Sequence, residues 1–121
     1  MLSFSAAQRY YLSRQAADMR KSYDGLSGLV RQGLGRDPLS GEVFIFLNRR
    51  RTQIKLLVWD RSGFVLWGKR LERGTFELPR AGSQGQQASV ILAWEELVMI
   101  LEGVSLGSVQ RRKRYLRQEA S

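Results

Sequence analysis

Residues 43–71 read VFIFLNRRRTQIKLLVWDRSGFVLWGKRL, and this stretch decides the fold. Val43 to Leu47 is an unbroken β-prone apolar run, as expected of a strand buried on both faces. Asn48 to Gln53 is polar and basic, a connection. Ile54 to Trp59 and Phe64 to Leu71 are two further strand runs separated by Asp60-Arg61-Ser62-Gly63. Asp-x-Ser-Gly suits a type I turn followed by a glycine bulge. That turn sets Asp60 opposite Phe64, Trp59 opposite Val65, Leu57 opposite Trp67 and Lys55 opposite Lys69 on one face. Val58 then meets Leu66, and Leu56 meets Gly68, on the other. A slip of one residue would exchange the two faces.

Working outward, Gly74 breaks the run, and Thr75 to Pro79 reads as a last short strand ended by proline. Arg80 to Gln87, with Gly82 and Gly85, is a loop. Ser89 opens an expected second helix through Trp94, Leu97, Val98, Ile100 and Leu101, ending at Gly103. On the other side, Arg9 to Ser13 reads as an edge strand. Asp18 stands as the N-cap of a first helix, whose stripe is Met19, Tyr23, Leu26, Leu29, Val30 and Leu34. Gly33 or Gly35 ends it, and Arg36 to Gly41 is a turn. The expected architecture is α+β: a small antiparallel β-meander of three to five strands packed by two helices, with a basic C-terminal extension. Residues 1–104 form one domain and 105–121 the extension.

The chain has 121 residues with 43% hydrophobic side chains, enough for one domain with its own core. It contains no cysteine and no histidine. Disulfides, Cys/His zinc sites and Ser-His or Cys-His relays are therefore excluded. No apolar run approaches the roughly 18 residues that span a bilayer, and no signal-peptide pattern opens the chain, so a cytoplasmic protein is expected. Neither G-x-x-x-x-G-K-[ST] nor G-x-G-x-x-G occurs, which leaves nucleotide binding without support. Neither a cofactor nor a metal is expected.

Charge is the strongest functional signal. The formal net charge is +9, with 15 basic and 10 acidic side chains in residues 1–103 and five basic against one acidic in 104–121. Such a balance points to a polyanionic partner, most simply DNA. A membrane surface fits less well, because the tail lacks the apolar face of an interfacial helix. The candidate nucleic-acid-binding residues are Arg49, Arg50 and Arg51, then Lys55, Lys69, Arg70 and Arg73. The tail adds Arg111, Arg112, Lys113 and Arg114. Adjacent arginines cannot all be buried, and exposed guanidinium groups suit phosphate. On the expected register Trp59 and Trp67 share a face with the two lysines. They either stack bases or form core with the lysines snorkelling at its margin, and the small size of the chain favours core.

Arg20 and Lys21 follow the expected cap, against the helix dipole. A carboxylate partner would offset that cost for Arg20, and Asp24 is in reach of either cation. The four aspartates Asp18, Asp24, Asp37 and Asp60 all have structural readings. Asp18 and Asp24 would point about 240° apart on one helix, too far to share the metals a nuclease needs. No catalytic residue is assigned.

DMRKSYDGLSGL at 18–29, GRDPLSGEVFIFLNRRR and its continuation over 35–80, and LEGV at 101–104 together resemble a known family. It is the accessory protein called TnpB, or Orf2-like protein, of bacterial insertion sequences of the IS66 type. The RNA-guided nucleases that share the label TnpB are far larger and carry carboxylates and zinc cysteines absent here. The resemblance covers about residues 10–104. It implies a small protein encoded beside the transposase and needed for efficient transposition, with cutting and joining left to that separate enzyme. It carries over no catalytic residues. This chain departs from the pattern by continuing past LEGV into RRKRYLR. Two functions follow: a non-specific DNA-binding accessory factor, or a protein-interaction module that supports the transposase without touching DNA.

Overall fold

Every second residue of a strand faces the same side, so the apolar run Val43–Leu47 needs cover on both sides. The computed structural model, which describes residues 4–78 and 87–102, supplies it. The strands are β1 (Tyr10–Ser13), β2 (Val43–Leu47), β3 (Gln53–Asp60), β4 (Gly63–Arg70) and β5 (Ser89–Leu92); the helices are α1 (Tyr23–Gln32) and α2 (Trp94–Leu101). The sheet order is β4-β3-β2-β1-β5. Val43, Ile45 and Leu47 lie in one core with Leu97 and Ile100 of α2. Phe44 and Phe46 lie in a second core with Leu26 and Val30 of α1. One helix thus covers each face of an α+β domain, and all five residues of β2 are buried.

The meander β2-β3-β4 is antiparallel as expected. β1, however, is not an edge strand. It lies between β2 and β5, parallel to β2 with Tyr10 beside Val43, which makes the sheet mixed. The connection from β1 to β2 runs through α1, a crossover that parallel neighbours require. Tyr10 is 1% exposed; its hydroxyl donates to the Ser5 carbonyl at 2.7 Å, so burial leaves no orphaned group.

Three expected elements change. The stretch from Ser89 does not begin a helix: Ser89–Leu92 pairs antiparallel with β1, and α2 starts only at Trp94. The Glu96 carboxylate accepts the Ala93 N–H at 2.9 Å and so marks the helix start. Its last helical residue is Leu101, and the expected stop at Gly103 lies outside the described residues. Second, Thr75 to Leu78 joins no ladder. Phe76 is instead plugged into the α2-side core, its N–H bonded to the Arg51 carbonyl at 2.7 Å. Third, α1 begins at Tyr23, not after Asp18. Asp18 accepts the Arg20 N–H at 2.9 Å, while the Lys55 ammonium takes the carbonyls of Met19 and Lys21 at 2.7 and 2.9 Å. A helix over 19–25 would have used those carbonyls itself. Gly35 (φ 64) supplies the left-handed residue after α1. The expected loop from Arg80 lies outside the described residues up to 86.

The β3–β4 register also differs by one residue. Asp60 pairs with Gly63, so the loop is the two residues Arg61 and Ser62, and Gly63 belongs to β4. Trp59 then meets Phe64, Leu57 meets Leu66, Leu56 meets Trp67 and Lys55 meets Gly68. The left-handed residue is Arg61 (φ 50) rather than a bulge glycine. A non-glycine there costs about 1–2 kcal/mol, and a glycine's extra freedom when unfolded returns part of that. Arg61→Gly is therefore expected to stabilise the protein by about 0.5–1 kcal/mol, read as a higher urea midpoint at unchanged slope.

Candidate nucleic-acid interface

Strand directions decide where the cations gather. β1 and β2 run in parallel and end, at Ser13 and Leu47, at the same end of the sheet. β3 begins there at Gln53, opposite Arg70 at the end of β4, and β5 begins there beside Ser13. The segment 14–22, the turn 48–52 and the segment 71–78 consequently share that end. Of the candidates expected from the sequence, Arg49, Arg50, Arg51, Lys55, Lys69, Arg70 and Arg73 are all brought to it.

The turn at its centre is tied together by its own hydrogen bonds. The Asn48 side-chain oxygen accepts the N–H groups of Thr52 and Gln53 at 2.8 and 3.0 Å, and its amide donates to the Thr52 hydroxyl at 2.9 Å. Arg51 N–H bonds the Asn48 carbonyl at 3.0 Å, and Arg51 takes a left-handed φ of 58. Local Asx hydrogen bonding of this kind is what asparagine contributes to a turn. Arg49, Arg50 and Arg51 are exposed. Among the described residues their side chains make no hydrogen bond or ion pair.

The other cations divide by their partners. Lys55 and Lys69 lie on opposite faces of the sheet, and so do Trp59 and Trp67, which overturns the face expected to carry all four. Lys55 serves the α1 side through Met19 and Lys21; Lys69 donates to the Leu101 carbonyl at 2.6 Å and caps the end of α2. Trp67 packs on the α2-side core, as the smallness of the domain suggested, whereas half-buried Trp59 sits edge-on to Phe64 with ring centroids 5.1 Å apart. Arg70 approaches Glu72 at 3.9 Å, and Arg73 is exposed. At the far end of the sheet Arg36 lies 3.9 Å above the Tyr11 ring and pairs with Glu42. Arg111, Arg112, Lys113 and Arg114 lie outside the described residues.

A groove of about 560 Å³ opens between the two segments, lined by Ala17 to Arg20 on one wall and Asn48, Arg49, Arg50 and Gln53 on the other. Ala17 N–H donates to the Leu47 carbonyl at 2.8 Å and holds the first wall against the end of β2. Arg20 does find a carboxylate, but it is Asp18 rather than Asp24: Nη2 lies 2.7 Å from Oδ2, and Nε lies 3.1 Å from both oxygens. Those bonds hold the Asp18 carboxyl down at about 2. Sequence reasoning missed Arg20 as a member of the site, although its neighbour Asp18 at two residues' distance was a readable signal.

The other three aspartates are dispersed. Asp24 sits in the first turn of α1, Asp37 accepts the Leu39 N–H at 2.9 Å, and Asp60 closes the β3–β4 hairpin. Among the described residues no three acidic, cysteine or histidine side chains group to hold a metal, and no helix is long and apolar enough to cross a membrane.

Comparison with known proteins adds a family. The family described as IS66 Orf2 like protein matches residues 8–111, past Val104 and up to Arg111. The uncharacterized protein y4jC of Sinorhizobium fredii (strain NBRC 101917 / NGR234) is 30% identical over 112 residues, covering 93% of this chain and 92% of that protein. A second uncharacterized protein of the same strain, y4hO, is 29% identical over 104 residues, 86% of this chain and 87% of its own. No solved structure matches the chain.

Proposed function

The chain belongs to the IS66 Orf2-like family of insertion-sequence accessory proteins, and from that premise we propose that it binds duplex DNA non-specifically in support of a separate transposase. In this reading it is a non-catalytic cytoplasmic factor, and the contacts are to the DNA backbone. One observation carries the proposal: three adjacent arginines, exposed and without internal partners among the described residues, on a turn that Asn48 holds in one shape. A turn backbone already held in one shape adds little ordering cost of its own when the arginines meet phosphate, so more of each contact appears as affinity. Lys55 and Lys69 add positive potential at the same end while their ammonium groups hold backbone carbonyls. Arg70, Arg73 and the tail cations Arg111, Arg112, Lys113 and Arg114 extend the basic surface.

Among the described residues no helix is presented in the manner of a recognition motif, so sequence preference should be weak. If about 5–7 phosphates are neutralised, log K for a duplex should fall against log salt with a slope near −5 to −6. Titrating folded protein into unrelated duplexes at several salt concentrations measures this. Binding that is undetectable at about 50 mM salt would remove the DNA reading. It would favour the second one, a protein-interaction module for the transposase. That reading has its own support in β5, an edge strand whose Ile91 is 64% exposed.

A further inference from the structure

We propose that Asp18 is an internal stand-in for phosphate, occupying Arg20 in the free protein and yielding it to a DNA backbone phosphate that enters the groove between residues 17–20 and 48–53. The proposal rests on the DNA-binding reading and assigns it a regulated contact.

The groove has cations on both walls: Arg49 and Arg50 on the turn side, Arg20 on the other. Among the described residues only Arg20 of these three is engaged. Its guanidinium meets both carboxylate oxygens of Asp18, with contacts of 2.7 to 3.1 Å. A carboxylate presents two oxygens to the guanidinium fork much as a phosphate does, so one can replace the other without moving the arginine far. The Arg20 side chain is 91% exposed, which leaves the phosphate an open path. Exposed ion pairs of this kind contribute little to folding, so exchanging the partner disturbs nothing else. The carboxylate also sits on the groove wall itself, so its charge, screened while Arg20 is paired with it, opposes an incoming phosphate as Arg20 leaves.

Asp18→Asn separates the two roles of this side chain. An amide oxygen still accepts the Arg20 N–H, so the turn is retained, while the charge that holds the guanidinium is gone. The experiment measures duplex affinity of the full chain against salt for the wild type, D18N, R20A and the double variant, with circular dichroism checking the fold of each. D18N is expected to bind roughly fivefold tighter at about 50 mM salt with an unchanged log-log slope. R20A, which loses the phosphate contact, should bind more weakly with a slope flatter by about one. That gain should vanish when D18N is added to R20A, because without Arg20 there is no internal pair to give up. An equal gain with and without Arg20 overturns the proposal, since it would show simple removal of a negative charge. No gain in D18N beside normal wild-type binding overturns it as well. A wild type that does not bind duplex at all overturns the DNA-binding reading, and this proposal with it.

Discussion

Arg49→Ala and Arg50→Ala combined with Arg51→Gly should lower duplex affinity by about two orders of magnitude at low salt and flatten the salt slope by about three. Glycine is the right replacement at the third position because Arg51 has a φ of 58, which alanine would tolerate no better than arginine does. The turn should survive, since Asn48 supplies its hydrogen bonds and none of the three side chains does. Supplied in trans to an otherwise intact element, this variant should impair transposition more than truncation after Gly107. Truncation removes Arg111, Arg112, Lys113 and Arg114 but leaves the turn and its groove whole, although it can weaken DNA binding in vitro by as much. A truncation that abolishes transposition beside a fully working triple variant would assign the function to the tail.

The second large effect lies in stability. Phe76→Ala should cost about 3–5 kcal/mol, because the ring is fully enclosed and its removal leaves a cavity that the surrounding side chains only partly close. Phe76 is 1% exposed and packs in the α2-side core with Ile54, Leu56 and Ile100. Against a total stability of about 5–15 kcal/mol, such a loss lowers the thermal midpoint by more than about 12 °C. The buried ring also anchors the segment after β4, whose backbone N–H at Phe76 bonds the Arg51 carbonyl of the arginine turn. DNA binding should therefore fall along with stability, and Phe76→Leu should restore much of both. A Phe76→Ala protein with an unchanged unfolding midpoint would contradict the packing.

The candidate site was legible in part, and the parts divide by range. Arg49, Arg50 and Arg51 could be placed on an exposed connection from composition alone, because guanidinium groups stay in water unless a partner takes them inside. Asp18 and Arg20 are two residues apart, yet their pairing was misread, since a helix start and an Asx turn use the same aspartate oxygen in competing ways. What tipped the choice was Lys55, thirty-odd positions away in the chain, whose ammonium captures the carbonyls of Met19 and Lys21. Nothing local announces that capture. The groove is invisible in the sequence for the same reason, as its two walls meet only because β1 and β2 end side by side.

By itself the sequence determined that Val43–Leu47 would be a strand enclosed on both sides, that two more strands would follow it as an antiparallel pair, and that Leu26 and Val30 would face a core from a helix. Those outcomes follow from periodicity and apolar content within a few residues, where side-chain geometry leaves little choice. Tertiary structure alone decided that Ser89–Leu92 is a strand, that the β3–β4 register closes on a two-residue loop, and that Phe76 is core without belonging to any ladder. In each case the local preference was nearly balanced. The edge of β1 that β5 pairs with, the two helix-covered faces and the α2-side core that takes in Phe76 supplied the larger energy, and contacts distant in sequence settled what propensity left open.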